Sequence, residues 1–159
     1  MIKKYFWIFF ISMVPLIEIR GAGLYASAHA MPPLPSLAVA LLGNMLPVPF
    51  IFYFARKFLA WGQDKPWIGR ICSFFLDRGE SAGQKLLKKA GRGLYFALFL
   101  FVAIPLPGTG AWTGVLASSI LDMDFKKSVL ATIAGVMCAG VIVYLLTSGI
   151  IGAGSVIVK

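Results

Sequence analysis

The sequence predicts an all-α integral membrane protein. Two re-entrant helical hairpins and two full transmembrane helices form an inverted repeat, with a basic, partly helical cytoplasmic loop between the halves. Three observations predict this. Of 159 residues, 59% are hydrophobic and 13% charged, about half the charge of an ordinary soluble domain, and the mean hydropathy is +0.86. The uncharged runs reach the roughly 20 residues needed to cross a bilayer. Two of the apolar blocks are interrupted by proline, glycine or charge near their middles. The composition excludes an ordinary cytosolic enzyme and a disordered chain, and the length suits one membrane domain over residues 1–159. Net charge is +9, but the basic residues sit in a few blocks between apolar runs, so no nucleic acid is expected as a partner. Cys72 and Cys138 lie in unrelated settings, without the spacing of a disulfide framework or a metal site.

The first block, residues 5–30, starts with the 13-residue run Tyr5–Ile17 and is broken by Glu18 and Arg20 before resuming at Gly21. Pro15 precedes this polar tip, so the block reads as a hairpin. Lys3 and Lys4 fit the alternative of a single crossing with the N-terminus inside, because the hairpin leaves them outside; the hairpin is the reading taken. Lys3-Lys4, an apolar run and Ala28-His29-Ala30 also resemble a secretory signal. Glu18, Arg20 and the long stretch before the cleavage-like site argue against it. Residues 34–55 form an uncharged run and read as a transmembrane span, kinked by Pro47 and Pro49.

Residues 56–93 form the loop. Beyond Arg56 it holds Lys57, Lys65, Arg70, Arg78, Lys85, Lys88, Lys89 and Arg92 against Asp64, Asp77 and Glu80, a net of +5. The positive-inside rule places it in the cytoplasm. Within it, Ile68, Ile71, Cys72, Phe75 and Leu76 have helical apolar spacing, so an amphipathic helix on the inner leaflet and a solvated basic loop are both open readings. The block 94–121 spans 28 residues, about 42 Å as a straight helix, too long for one crossing and too short for two. Pro105, Pro107, Gly108 and Gly110 break it at the middle, since proline lacks the helical donor and clashes with the preceding turn. It reads as a second re-entrant hairpin. Residues 128–149 form the second span, in which Gly135 and Gly140 allow close helix approach. A hairpin crosses zero times and a span once, so the two halves enter from opposite faces, as in transporters with broken helices.

Irregular backbone at membrane depth needs protein or water around it, so both tips should face a shared cavity. Glu18 and Arg20 would each cost ~2.5–3.5 kcal/mol at a helix centre on insertion scales, and such residues mark ion or substrate pathways. Candidate substrate- and ion-binding residues are Glu18, Arg20, Asn44, Pro105, Pro107, Gly108, Thr109, Gly110 and Trp112. Arg20 offers a planar donor fork. The Pro105–Gly110 tip offers backbone N–H groups at a half-helix N-terminus, which attracts anions. Asn44 either bridges helices or binds substrate. No hydrolase, P-loop, redox or metal-ligand motif occurs, so the expectation is a non-enzyme with no catalytic residue, metal or cofactor.

Three segments carry a family resemblance: Glu18-Ile19-Arg20-Gly21-Ala22, Gly43-Asn44-Met45-Leu46-Pro47-Val48-Pro49, and the run from Ala103 to Gly114 with Ile-Pro-Leu-Pro-Gly-Thr-Gly-Ala-Trp-Thr. They resemble the small multi-drug export protein family of prokaryotic membrane proteins, over about residues 8–150. That family is similar, distantly, to the DedA superfamily with its paired re-entrant hairpins. The resemblance implies a multi-pass transporter of the cytoplasmic membrane, coupled to protons or Na+, moving a lipid-phosphate or other amphiphilic substrate. Beyond Glu18 and Arg20, the acidic and arginine motifs of DedA proteins have no counterpart here. So few spans point to a homodimer, with membrane lipids as surroundings and partners. The alternatives are a proton-coupled exporter of cationic drugs and a non-transporting biogenesis or scaffold protein.

Overall fold

A computed structural model describes residues 2–89, 93–106 and 108–157, without the side chains of 89 and 148–157. The described residues are mostly helical and contain no strand. The helices are α1 (Ile2–Met13), α2 (Glu18–Ala28), α3 (Pro33–Met45), α4 (Val48–Phe50), a π-helical turn at Ile51–Ala55, α5 (Arg56–Gly62), α6 (Gly69–Lys89), α7 (Leu94–Ala103), α8 (Ala111–Ile120) and α9 (Phe125–Ile157).

Among the described residues two stretches are long and apolar enough to cross a membrane, Pro33–Gly62 and Phe125–Thr147. Only 28% and 33% of the residues in their most apolar windows are buried. A core helix of a soluble protein would hide most of that surface, so the outward apolar residues, such as Leu42, Phe50, Leu130 and Leu145, face lipid. This is a membrane protein.

Each half starts with two short helices joined at a break. In the first, Pro15 interrupts α1, and Leu16 and Glu18 turn the chain with φ of 71° and 50°, a left-handed conformation that costs non-glycine residues about 1–3 kcal/mol. In the second, Ile104 is extended (ψ 116°), as the residue before a proline must be, and α7 ends there. Gly108 and Gly110, with φ of 80° and 146°, carry the chain into α8.

The first long helix departs from its expected bounds. It does not end at Ala55 but continues through the π turn to Gly62, because no breaker occurs between Ile51 and Trp61. At 1.5 Å per residue its 30 residues measure about 45 Å, so α5 lifts Arg56 and Lys57 beyond ~30 Å of hydrocarbon. Most of the basic loop is helical as well. α6 extends well past the Ile68–Leu76 stretch, and it packs on α8 rather than lying free. Gly79 sits directly beside Leu116, and Gly83 beside Leu121; the absent side chains let the two helices close.

Packing follows small residues throughout. α1 crosses α3 where Gly43 meets Phe9 O and Ser12 Oγ. α9 crosses α7 at Gly135, whose Cβ position lies 2.7 Å from Val102 Cβ and 2.9 Å from Phe99 O. α2 packs along α9, with Gly23 against Val143 and Gly140 against Ile19. These contacts bury Ile8, Ile19, Leu98, Val102 and Val136 in one apolar cluster.

Candidate functional site

The two breaks meet. α2 begins with Glu18, 3% exposed, and its side chain reaches the first turn of α8. Ala111 N donates to Glu18 Oε2 at 3.1 Å, and Trp112 N donates to Oε1 at 2.9 Å. A helix leaves its first N–H groups without internal partners, and its N-terminus favours negative charge. Glu18 answers both needs across 93 residues of sequence. Gly110 makes room, since a Cβ there would collide with the Glu18 carboxylate, and its φ of 146° suits glycine alone.

Arg20 lies two residues beyond, half-buried. Its Nη2 donates to Thr109 Oγ1 at 2.9 Å and, more loosely, to Ile104 O at 3.5 Å. Thr109 Oγ1 is also 2.8 Å from the carbonyls of Ile104 and Leu106, so it pins the tip's backbone and presents a lone pair to the guanidinium. Arg20 Nε is buried with no hydrogen-bond partner. Trp112 closes the other side, its Nε1–H donating to Met13 O at 3.1 Å.

The expected candidates therefore divide. Glu18, Arg20, Thr109, Gly110 and Trp112 come together at one contact. Pro105 shapes the tip without a polar contact of its own, and Pro107 lies outside the described residues. Gly108 sits against a residue that the sequence did not single out: a Cβ there would strike Arg78 Nη1 of α6. Arg78 packs its guanidinium 4.9 Å from the Phe74 ring. The available signal was the Phe74–Arg78 spacing of four, which places both on one face of a helix. The tip thus lies between two guanidinium groups. Asn44 is fully buried, and its Oδ1 and Nδ2 have no hydrogen-bond partner.

The N-terminus of α8, a candidate site for a substrate anion, is occupied by the chain's own Glu18. An incoming anion can reach those N–H groups only if Glu18 leaves or is neutralised.

Two apolar cavities flank the contact. One, of about 380 Å³, is walled by Pro15, Leu16, Phe58, Ile71, Phe75 and Trp112. The other, of about 330 Å³, runs along α7 from Lys85 past Phe96 and Leu100 to Thr109. Both have the size of a modest ligand site. His29 turns away from any such role: its Nδ1 is 2.9 Å from Tyr25 O and its ring stacks on Tyr25. Among the described residues no three histidine, cysteine or acidic side chains converge as a metal site would require.

No curated protein and no solved structure matches the chain. A family model does, over residues 18–142, from the carboxylate of the first break through both tips and into the middle of α9. The chain belongs to the family described as putative small multi-drug export protein.

Proposed function

We propose that this membrane protein is a small ion-coupled transporter of an amphiphilic anion, with a lipid phosphate as the model substrate, in a prokaryotic cytoplasmic membrane. The observation that carries the reading is the Glu18 carboxylate seated on the N–H groups of Ala111 and Trp112. Protonating or neutralising Glu18 weakens its hold and exposes those donors. A phosphate oxygen can then take them, gripped by the free donors of Arg20 and, beside Gly108, by Arg78. The substrate's tail lies in the apolar cavity along α7, with Lys85 at the far end. When the anion departs, Glu18 loses its proton and returns.

The two helix–break–helix units are re-entrant hairpins related as an inverted repeat. The packing supports this. α1 lies on α3 as α7 lies on α9, while α2 reaches α9 and α8 reaches residues 48–55 that continue α3. A second copy of the chain completes the enclosure, as so few spans require.

Reconstituted proteoliposomes test the function. Glu18→Gln keeps the shape and removes the titrating group, so gradient-driven uptake of a fluorescent lipid phosphate should be lost when equal amounts of folded protein are reconstituted. Arg20→Lys keeps the charge but not the planar fork, and should lower uptake by roughly tenfold, the factor that about 1.4 kcal/mol represents. Undiminished, pH-dependent uptake by Glu18→Gln would remove the carboxylate from the mechanism.

The family's description favours a second reading, proton-coupled export of cationic drugs, with Glu18 as the shared site. Arg20 and Arg78 oppose a cation at the tip. Binding of a lipophilic cation in competition with protons would overturn the anionic reading in favour of this one.

A further inference from the structure

The two membrane-length stretches turn from apolar to charged at one place. The uncharged run 34–55 measures about 33 Å as a helix, close to the ~30 Å of hydrocarbon, so Arg56 and Lys57 begin at headgroup level. The other stretch starts at Phe125, with Asp122 and Asp124 just before it and Lys126 and Lys127 just after. These ends are in contact. Phe52 and Tyr53 of the π turn set their rings 5.2 and 4.9 Å from that of Phe125, and Ser119 Oγ, near the end of α8, donates to Phe52 O.

Between them opens a recess of about 310 Å³, walled by Phe52, Tyr53, Arg56, Lys57, Ser119 and Asp122. It shares no residue with either cavity beside the tip contact. Its donors are largely unspent. Arg56 Nη1 lies 3.5 Å from Asp122 Oδ1, between side chains 51% and 85% exposed, and an ion pair so loose and so wet contributes little. The Lys57 ammonium and the Tyr53 hydroxyl have no hydrogen-bond or ion-pair partner among the described residues. At this level four cations, Arg56, Lys57, Lys126 and Lys127, stand against two carboxylates. One of the two, Asp124, already accepts from Lys127 N at 3.0 Å in the first turn of α9. The balance favours an anion.

The surroundings point to a lipid rather than a soluble anion. Tyr53 joins an apolar ring to a polar tip, the arrangement found where hydrocarbon gives way to headgroups. Phe50, Phe54 and Leu130, exposed on the same two stretches, give acyl chains an apolar surface on the membrane side. By the positive-inside rule this level is the cytoplasmic one, where basic pockets between transmembrane helices hold anionic headgroups. We propose that the recess binds the phosphate of an anionic phospholipid of the inner leaflet, with Arg56 as a planar fork, Lys57 as a second charge and the Tyr53 hydroxyl as a further donor. The Arg56–Asp122 pair opens to admit it. The bound phosphate then ties the first long helix to the turn after α8, the helix whose other end Glu18 caps. The site stands or falls independently of the transport reading.

Native mass spectrometry and thermal unfolding of the detergent-solubilised protein test it, with phosphatidylglycerol as the probe and phosphatidylcholine of the same chains as the comparison. Phosphatidylglycerol should be retained and should raise the melting temperature in a saturable way; phosphatidylcholine should do neither. Arg56→Gln with Lys57→Gln should weaken the phosphatidylglycerol affinity roughly tenfold or more, as loss of two cations near an anionic headgroup does. Removing the same charge elsewhere in the loop, by Lys65→Gln with Arg70→Gln, should leave that affinity unchanged. Asp122→Asn removes the opposing carboxylate and should tighten binding. Asparagine tolerates the φ of 50° at this position as aspartate does, so without lipid that variant should melt close to the parent. Lys57→Gln alone serves if the double variant does not fold. Retention of neither lipid or of both equally, equal losses in the two neutralised pairs, or weaker binding by Asp122→Asn overturns the site. Displacement of phosphatidylglycerol by inorganic phosphate at equal concentration assigns the recess to a soluble anion and overturns the lipid. Lipid binding without anion uptake refutes the transport reading alone.

Discussion

Glu18 adopts a φ of 50° and Leu16 one of 71°, and the cost of both is met by what the side chain of Glu18 then reaches. Each hydrogen bond to a charged group contributes about 1.5–3 kcal/mol, and an orphaned buried donor costs about 1–3 kcal/mol. Glu18→Ala should therefore destabilise the fold by several kcal/mol in a denaturation series, whereas Glu18→Gln keeps one acceptor and should lose less. Gly110→Ala forces a methyl into the carboxylate and a disfavoured φ, and should lower the melting temperature much as Glu18→Ala does. The double variant should fall well short of the summed effects, since both changes remove one contact. The sequence marked Glu18 and Arg20 because charge is costly among apolar residues. It could not pair them with Ala111, Trp112 and Thr109, which lie about 90 residues away and are ordinary in themselves. Arg78 was hidden for a similar reason: in a loop with eight other basic residues only its spacing of four from Phe74 distinguishes it until α6 sets it beside Gly108.

At the scale of elements, breakers were the most legible feature. Pro15, Pro105 and the tip glycines mark where α1 and α7 stop, because a missing N–H and a fixed φ act locally. Ends without a breaker were less legible. The helix through Ala55 runs on to Gly62, since a change from apolar to charged side chains alters the solvent, not the backbone. α6 exceeded its apolar signature because part of its buried face is Gly79, Ala82 and Gly83, residues that carry little hydrophobic signal yet allow α8 to approach. Glycines at crossings can be tested directly. Gly135→Leu would push α9 off the Phe99 carbonyl and Val102, and overpacking of this kind costs typically 1–3 kcal/mol or more. Gly93→Ala, with nothing within 4 Å of its Cβ position, has only its φ of 144° to answer for and should cost less. A shared melting assay ranks the two.

At the scale of the molecule, the hairpin topology puts residues 3 and 29 outside and residues 64 and 124 inside. Single-cysteine variants, in a background with Cys72 and Cys138 replaced, should react with a membrane-impermeant thiol reagent from those sides in intact cells. Labelling of position 3 from the inside only, with 29 outside, would show that residues 5–30 cross once. The sequence by itself determined that the chain is helical, that it lives in a membrane and where its helices break, because hydrophobicity and proline act over a few residues. Only the tertiary structure decided that the carboxylate of one break caps the helix after the other, and that two arginines flank one tip. Those are meetings between distant segments, set by how glycine-lined helices cross, and no local pattern encodes a crossing.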